Sequence, residues 1–392
     1  MPSGKPPGSR PRPRRTGPPP VREPYRGPAR QRRMRTAIAM TAGILGFVSC
    51  CGGSTAYFFL KEPLILFVGI PLLLLASGLA WLTTPARWSA MVRLLGLAPG
   101  VKELAARLGV PAETLRGFQP SYREVRIPKK RGGFRVLHVP DPQTMDLQRR
   151  ILRRLLARVR SHGAAYGFET GRSIAHNAAQ HAGRAIVLRF DVVDFFPTTR
   201  AGRIERMFLR LGWDAEAAAL LVRVVTHRDG LPQGAPTSPR LSNLVNFGLD
   251  RDIEYRIGRL RGRYTRYADD VTISFPEDWV GTPERAFAIV SHAFAKRGYR
   301  MHGKEKSSVR RRHQRQLVNG LVVNRAVGIP RKTRRLLRAA RHRVATGREA
   351  TFTAEQLAGW TAFEHMVRVH GAQLPEPWRR TRPPVSRRRW RL

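Results

Sequence analysis

The sequence predicts a soluble α/β or α+β region preceded by an all-α membrane hairpin. Three observations carry that expectation. Two uncharged apolar stretches, Ile38–Leu60 and Leu64–Thr84, stand close together near the N-terminus. Beyond residue 88, strand-like runs at 186–191 (IVLRFD) and 271–275 (VTISF) alternate with helical patterns at 101–117 and 144–159. Two adjacent carboxylates, Asp269 and Asp270, sit inside strand-like sequence, where their mutual repulsion needs a reason.

Taken in order, residues 1–36 are rich in Pro, Gly and Arg and nearly devoid of apolar side chains, the composition of a disordered basic tail. Residues 37–85 hold the two apolar stretches, each reaching the roughly 20 residues a helix needs to cross a bilayer. Only Lys61-Glu62-Pro63 separates them, which is room for a tight hairpin. Arginine-rich flanks place both ends on the cytoplasmic side of the inner membrane, with the region from residue 86 onward in the cytoplasm. Gly43, Gly46, Gly52, Gly53 and Ser54 suit close packing of the first span. Cys50 and Cys51 lie inside it and form neither a disulfide framework nor a metal site, in keeping with a reducing compartment.

Lys and Arg number 72 against 27 acidic residues, a formal net charge of +45. Eleven basic residues precede position 37, but most of the excess lies in 87–392, so the tail does not account for it. An excess of this size calls for a polyanion, and nucleic acid fits better than acidic lipid, because each phosphate contact releases counterions.

Strand–Asp-Asp–strand places Asp269 and Asp270 at a hairpin tip, where a hard divalent cation offsets their repulsion. The apolar run IVLRFDVVDFFPT (186–198) ends in Asp191, with Asp194 one turn later. Gathering Asp191, Asp269 and Asp270 is the layout for two Mg²⁺ ions that activate a hydroxyl and stabilise leaving pyrophosphate. Between these segments LPQGAPTSPRLSN (231–243), dense in Gly, Pro, Ser and Thr, leads into a helix from about Ser238. Its backbone and the Gln233 amide, beside Gly234, can approach a nucleotide closely.

The order DVVDFF, LPQGAPTSP, YADD resembles the reverse transcriptases over roughly residues 100–392. That resemblance implies an α+β right-hand polymerase: fingers and a palm with a ferredoxin-like antiparallel sheet over 86–324, and a helical thumb over 325–392. It makes Asp191, Asp269 and Asp270 the catalytic metal ligands for two Mg²⁺ ions and dNTPs the substrates. It makes Phe196 the bulky side chain that excludes a ribose 2′-hydroxyl. IPKKRGGFRVLHVP (127–140) resembles the fingers hairpin, with Arg135 and Lys129 or Lys130 on the triphosphate. Lys306, with Lys304 as the alternative, matches the lysine near the triphosphate.

Asn177-Ala178-Ala179-Gln180-His181 resembles the Asn-Ala-x-x-His signature of retron reverse transcriptases. Asn177 and His181, four apart, are equally a pair sharing one hydrogen-bonded helix face. Val318-Asn319-Gly320 stands where those enzymes carry Val-Thr-Gly, and Asn319 keeps a side-chain donor and acceptor for RNA. The retron resemblance implies a cognate structured non-coding RNA, primed at a guanosine 2′-hydroxyl and copied into RNA-linked single-stranded DNA, in anti-phage defence. The hairpin is then a fused effector or an anchor, and the chain is compatible with a monomer or an oligomer. Two other readings are weighed. A group II intron-like enzyme shares the motifs, but 325–392 holds a thumb and no further domains. A catalytically idle, membrane-tethered RNA-binding protein has no use for all three carboxylates.

Overall fold

The computed structural model describes residues 98–129, 132–303 and 307–372. The tail and membrane-hairpin expectations for 1–85 lie outside the described residues, as do Lys130, Lys304 and Lys306. Among the described residues no helix is long and apolar enough to cross a membrane.

The helical pattern at 101–117 is two helices, α1 (Val101–Leu108) and α2 (Ala112–Gly117). Gly109 closes the first at φ 67° and Pro111 caps the second, so one continuous helix is excluded. Strands β1 (Tyr122–Pro128) and β2 (Phe134–Pro140) form a separate antiparallel ribbon pairing Ile127 with Arg135. Helix α3 (Pro142–Arg150) starts at Asp141, whose carboxylate accepts from the Thr144 amide, and runs on as a π-helical turn over Ile151–Leu156. After α4 (Ile174–Ala179) comes β3 (Ile186–Asp191), then α5 (Ala201–Arg210) and α6 (Ala215–Val225). Helix α7 (Ser238–Val245) opens with Pro239 in its first turn, and α8 (Phe247–Arg259) follows.

Strands β4 (Arg263–Tyr267) and β5 (Asp270–Phe275), joined by Ala268-Asp269, carry the acidic pair. Helix α9 (Thr282–Ala295) follows, and β6 (Ser308–Arg311) completes a four-stranded antiparallel sheet in the order β4-β5-β3-β6. The short basic strand β6 has no alternating pattern and was not foreseen. A small hairpin, β7 (Leu317–Val318) and β8 (Leu321–Val322), turns at Asn319-Gly320, followed by helices α10 (Arg331–Ala345) and α11 (Ala354–Ala372).

The apolar residues divide into packed clusters that match these layers. One joins α1, α3, α5, α6 and α7. A second lies between the four-stranded sheet and helices α8 and α9, built on Leu188, Phe190, Ile253, Ile273, Phe275 and Phe294. A third ties α4 to the β7–β8 hairpin and α11 through Ala178, Val318, Leu321 and Val367.

An ion pair is buried within the second layer. Arg266 of β4 and Asp250 of α8 are both fully inaccessible, bonded Nε to Oδ1 at 2.8 Å and Nη2 to Oδ2 at 2.7 Å. Tyr264 donates to the same carboxylate at 2.7 Å. Removing one partner of a buried ion pair strands the other, at a cost of about 3–5 kcal/mol. Asp250→Ala is therefore expected to lose about that much stability in guanidinium denaturation. The double variant Asp250→Leu/Arg266→Met is expected to lose less than Asp250→Ala.

Candidate active site

The sheet register builds the site. Asp191, the last residue of β3, stands directly opposite Asp270, the first residue of β5, and Asp269 occupies the turn above them. Like charges facing each other across two strands are unfavourable. Arg189, two residues before Asp191 and on the same face, relieves part of this by donating Nη2 to both Asp270 oxygens at 2.9 and 3.0 Å. The amide of His302 donates to the Asp191 carbonyl at 2.9 Å, and its ring nitrogen lies 3.7 Å from Asp191 Oδ2. Asp269 is exposed at the turn, yet the protein around it partly desolvates its carboxylate. Together with the charges of Asp191 and Asp270, this holds its carboxyl above the usual range, against lowering pulls from a backbone hydrogen bond and from Arg135.

Among the described residues, no three histidine, cysteine or carboxylate side chains stand close enough together to hold an ion. The backbone gathers the expected three aspartates, but Asp270 is turned to Arg189. The donor set still suits a hard cation: it is all oxygen, and Asp269 is destabilised by neighbouring negative charge that a cation would neutralise.

The turn carrying Asp269 is held from behind. Arg266 Nη1 donates to the Ala268 carbonyl at 3.1 Å, so the buried pair with Asp250 reaches the turn itself. Ala268 is buried at φ 57°, and Asp194 takes φ 45°. Such conformations in non-glycine residues are strained and gather at functional sites. Gly167 packs so closely on this turn that a Cβ there would lie 2.9 Å from the Ala268 nitrogen.

The remaining predicted residues distribute as follows. Asp194 is exposed, and its carbonyl accepts from Thr198 rather than joining the carboxylate group. Phe196 is half-buried where the first two apolar clusters meet. The Gln233 carbonyl accepts from the His138 amide at 2.8 Å, which seats the 231–237 loop against β2. Gly234, at φ 123°, comes so near the His138 carbonyl that a side chain would be crowded. Arg135 and Lys129 are exposed on the β1–β2 ribbon, with the Lys129 amide and carbonyl closing its tip onto Gly133 and Gly132.

Three expected RNA contacts need correction. His181 is fully buried, with its ring nitrogens 2.7 Å from Ser274 Oγ and Thr265 Oγ1. Burial pushes its pKa down to about 3, so it is a neutral core residue joining the turn after α4 to the sheet. Val318 is also fully buried, within the third cluster. Asn177 is buried and donates its amide to Asn319 Oδ1, so it supports the hairpin tip rather than reaching solvent. Asn319 (φ 47°) and Gly320 (φ 83°) form that tip and remain accessible.

Sequence reasoning missed Arg189, Arg266, His302 and Phe168. Arg189 had a readable signal, a cation two positions before Asp191 on one strand face. The others depend on packing between distant segments.

A family model described as "Reverse transcriptase (RNA-dependent DNA polymerase)" matches residues 127–318. The chain is 34% identical over 298 residues to the retron Mx65 reverse transcriptase of Myxococcus xanthus, covering 69% of each protein. It is 34% identical over 322 residues to the retron Mx162 reverse transcriptase of Myxococcus xanthus, covering 70% of this chain and 66% of that one. It is 33% identical over 268 residues to the retron Ec86 reverse transcriptase of Escherichia coli, covering 66% of this chain and 81% of that one.

The raised carboxyl of Asp269 gives a signed expectation. A folded-state pKa above the unfolded value of about 3.9 means that stability is full at lower pH and falls as pH rises through the folded value. Without divalent cations, Asp269→Asn is expected to melt above wild type, with a gap that widens from about pH 4 upward. Mg²⁺ should narrow the gap, while nucleotide incorporation by the variant falls at least about 1,000-fold. Melting scans with and without Mg²⁺, beside an incorporation assay, check both halves.

Proposed function

This chain belongs to the retron reverse transcriptases and is an RNA-directed DNA polymerase, and from that premise we propose that it copies part of a cognate structured non-coding RNA into single-stranded DNA that stays joined to the RNA. The observation that carries the catalytic part is the facing of Asp191 and Asp270 across β3 and β5, with Asp269 in the turn above. Asp191 and Asp269, with Asp270 if released from Arg189, would hold two Mg²⁺ ions. When bound, these ions lower the pKa of the attacking hydroxyl and neutralise charge on the leaving pyrophosphate.

The hydroxyl oxygen loses its proton to solvent as it bonds to the α-phosphorus, the bond from that phosphorus to the oxygen bridging the β-phosphate breaks, and pyrophosphate leaves with that oxygen. The first hydroxyl is a guanosine 2′-hydroxyl of the RNA, and each later one is the 3′-hydroxyl just added. Arg135 and Lys129, on the exposed ribbon, bind the triphosphate, with Lys130 and Lys306 as further cations. Phe196 blocks a ribose 2′-hydroxyl. The Gln233-Gly234 backbone, seated on β2 through the His138 amide, approaches the nucleotide.

Asn319 and Gly320 meet the RNA at the β7–β8 tip, braced by Asn177. Arginines recurring along α10, beginning Arg331, Arg334, Arg335 and Arg338, face the duplex of template and product. Residues 37–85 form a two-helix hairpin in the inner membrane with the polymerase in the cytoplasm, supported by two uncharged stretches between arginine-rich flanks. In anti-phage defence that hairpin is either an effector restrained by the intact RNA–DNA hybrid or an anchor.

The test is expression from native flanking DNA, beside Asp269→Ala/Asp270→Ala. An RNA-linked DNA in the wild type alone is expected. Its absence, with good copying of an external primed RNA, would remove the cognate-RNA reading and leave the polymerase. Deleting residues 1–85 is expected to keep DNA synthesis and abolish phage protection, whereas unchanged protection would make the hairpin an anchor.

A further inference from the structure

Phe168 combines three properties rarely found together. It is a large apolar side chain left 47% exposed, it is not glycine yet takes φ 63°, and it stands beside the catalytic turn. Its ring centroid is 6.2 Å from Phe196 and 6.3 Å from Tyr267. An L-residue in the left-handed region is disfavoured because its Cβ crowds the following carbonyl oxygen. A bulky one persists only where its surroundings impose the conformation.

The surroundings do so. Segment 164–166 runs alongside β4, with Tyr166 N donating to Arg266 O and Arg266 N to Ala164 O, each at 2.8 Å. Arg172 Nη1 donates to the carbonyls of Gly163 and Ala165 at 2.6 and 2.7 Å. Beyond the ring, Asn243 Nδ2 donates to Gly167 O at 2.7 Å and to Glu169 Oε1 at 2.8 Å, and Arg240 pairs with the same Glu169 carboxylate. Residues 163–167 are buried and Glu169 is mostly so, while Phe168 between them is pushed outward. This bracing spends hydrogen bonds and an ion pair to hold one ring in the open, where burial would otherwise have been favourable.

We propose that Phe168 contacts the substrate: with Phe196 and Tyr267 it forms an apolar platform for the sugar edge of the primer-terminal nucleotide and the incoming deoxynucleotide, keeping the primer hydroxyl in line. The inference rests on the polymerase reading of the site. Phe196 marks the incoming sugar and Tyr267 adjoins the carboxylate turn, so a ring set between them meets the junction of the two nucleotides. The sugar edge is the same in all four deoxynucleotides, so such packing reads no sequence.

The test separates platform from scaffold by moving stability and activity in opposite directions. Phe168→Gly accepts the positive φ and deletes the ring, Phe168→Asn tolerates the conformation with a polar side chain, and Phe168→Tyr keeps the ring. Full-length variants are compared with wild type by thermal melting and by single-nucleotide incorporation on a primed RNA template. Phe168→Gly and Phe168→Asn are expected to melt no lower than wild type. Their kcat/KM for dNTP should fall about 10- to 150-fold, the range for losing the burial of one large apolar side chain, largely through a raised KM. Phe168→Tyr should stay within about threefold of wild type. Unchanged kcat/KM in Phe168→Gly, beside an active wild type, would overturn the platform and leave the polymerase untouched. So would equal loss of activity and melting temperature in all three variants.

Discussion

The buried ion pair between Arg266 and Asp250 is the interaction on which the site depends. Its guanidinium does three things from one fully enclosed position. It neutralises Asp250 on α8, it donates to the carbonyl of Ala268 in the acidic turn, and it lies 5.4 Å over the ring of Phe195, just past the β3 carboxylate. Enclosed charges are costly unless every donor and acceptor is matched, so this geometry tolerates little displacement. The turn bearing Asp269 is thereby referenced to the helix layer rather than left to a hairpin's own flexibility.

Repulsion among carboxylates is the second constraint, and the molecule leaves it partly unrelieved. Arg189 answers Asp270, and His302 stands near Asp191, but Asp269 keeps a raised carboxyl. Strain accompanies it: Asp194, Ala268 and Phe168 all hold positive φ near the acidic turn. Stability is given up here in favour of a site shaped for charged ligands, the usual bargain where binding geometry outranks packing.

The sequence carried the palm strands well because IVLRFD and VTISF are apolar runs ending at or starting beside aspartates. Register then follows from those ends, since Asp191 can only meet Asp270 when β3 and β5 are aligned along their full length. Helix ends were less legible: 101–117 read as one pattern, and Gly109 with Pro111 divides it. The Asn-Ala-x-x-His signature misled in detail. A histidine on a helix looks like an available contact until Ser274 and Thr265, far along the chain, enclose it. Arg266 and Phe168 were invisible for the same reason, as their roles are written in contacts across α8, β4 and the 163–169 loop rather than in local spacing.

The enclosed pair holds the turn that carries Asp269, and the Mg²⁺ dependence of single-turnover incorporation reports on that hold. Arg266→Lys keeps the positive charge but loses the fork that joins Asp250 to the Ala268 carbonyl. Measured where the variant remains folded, its rate should need clearly more Mg²⁺ to reach half-maximum than wild type. An unchanged Mg²⁺ curve, with the variant folded and active, would contradict the claim.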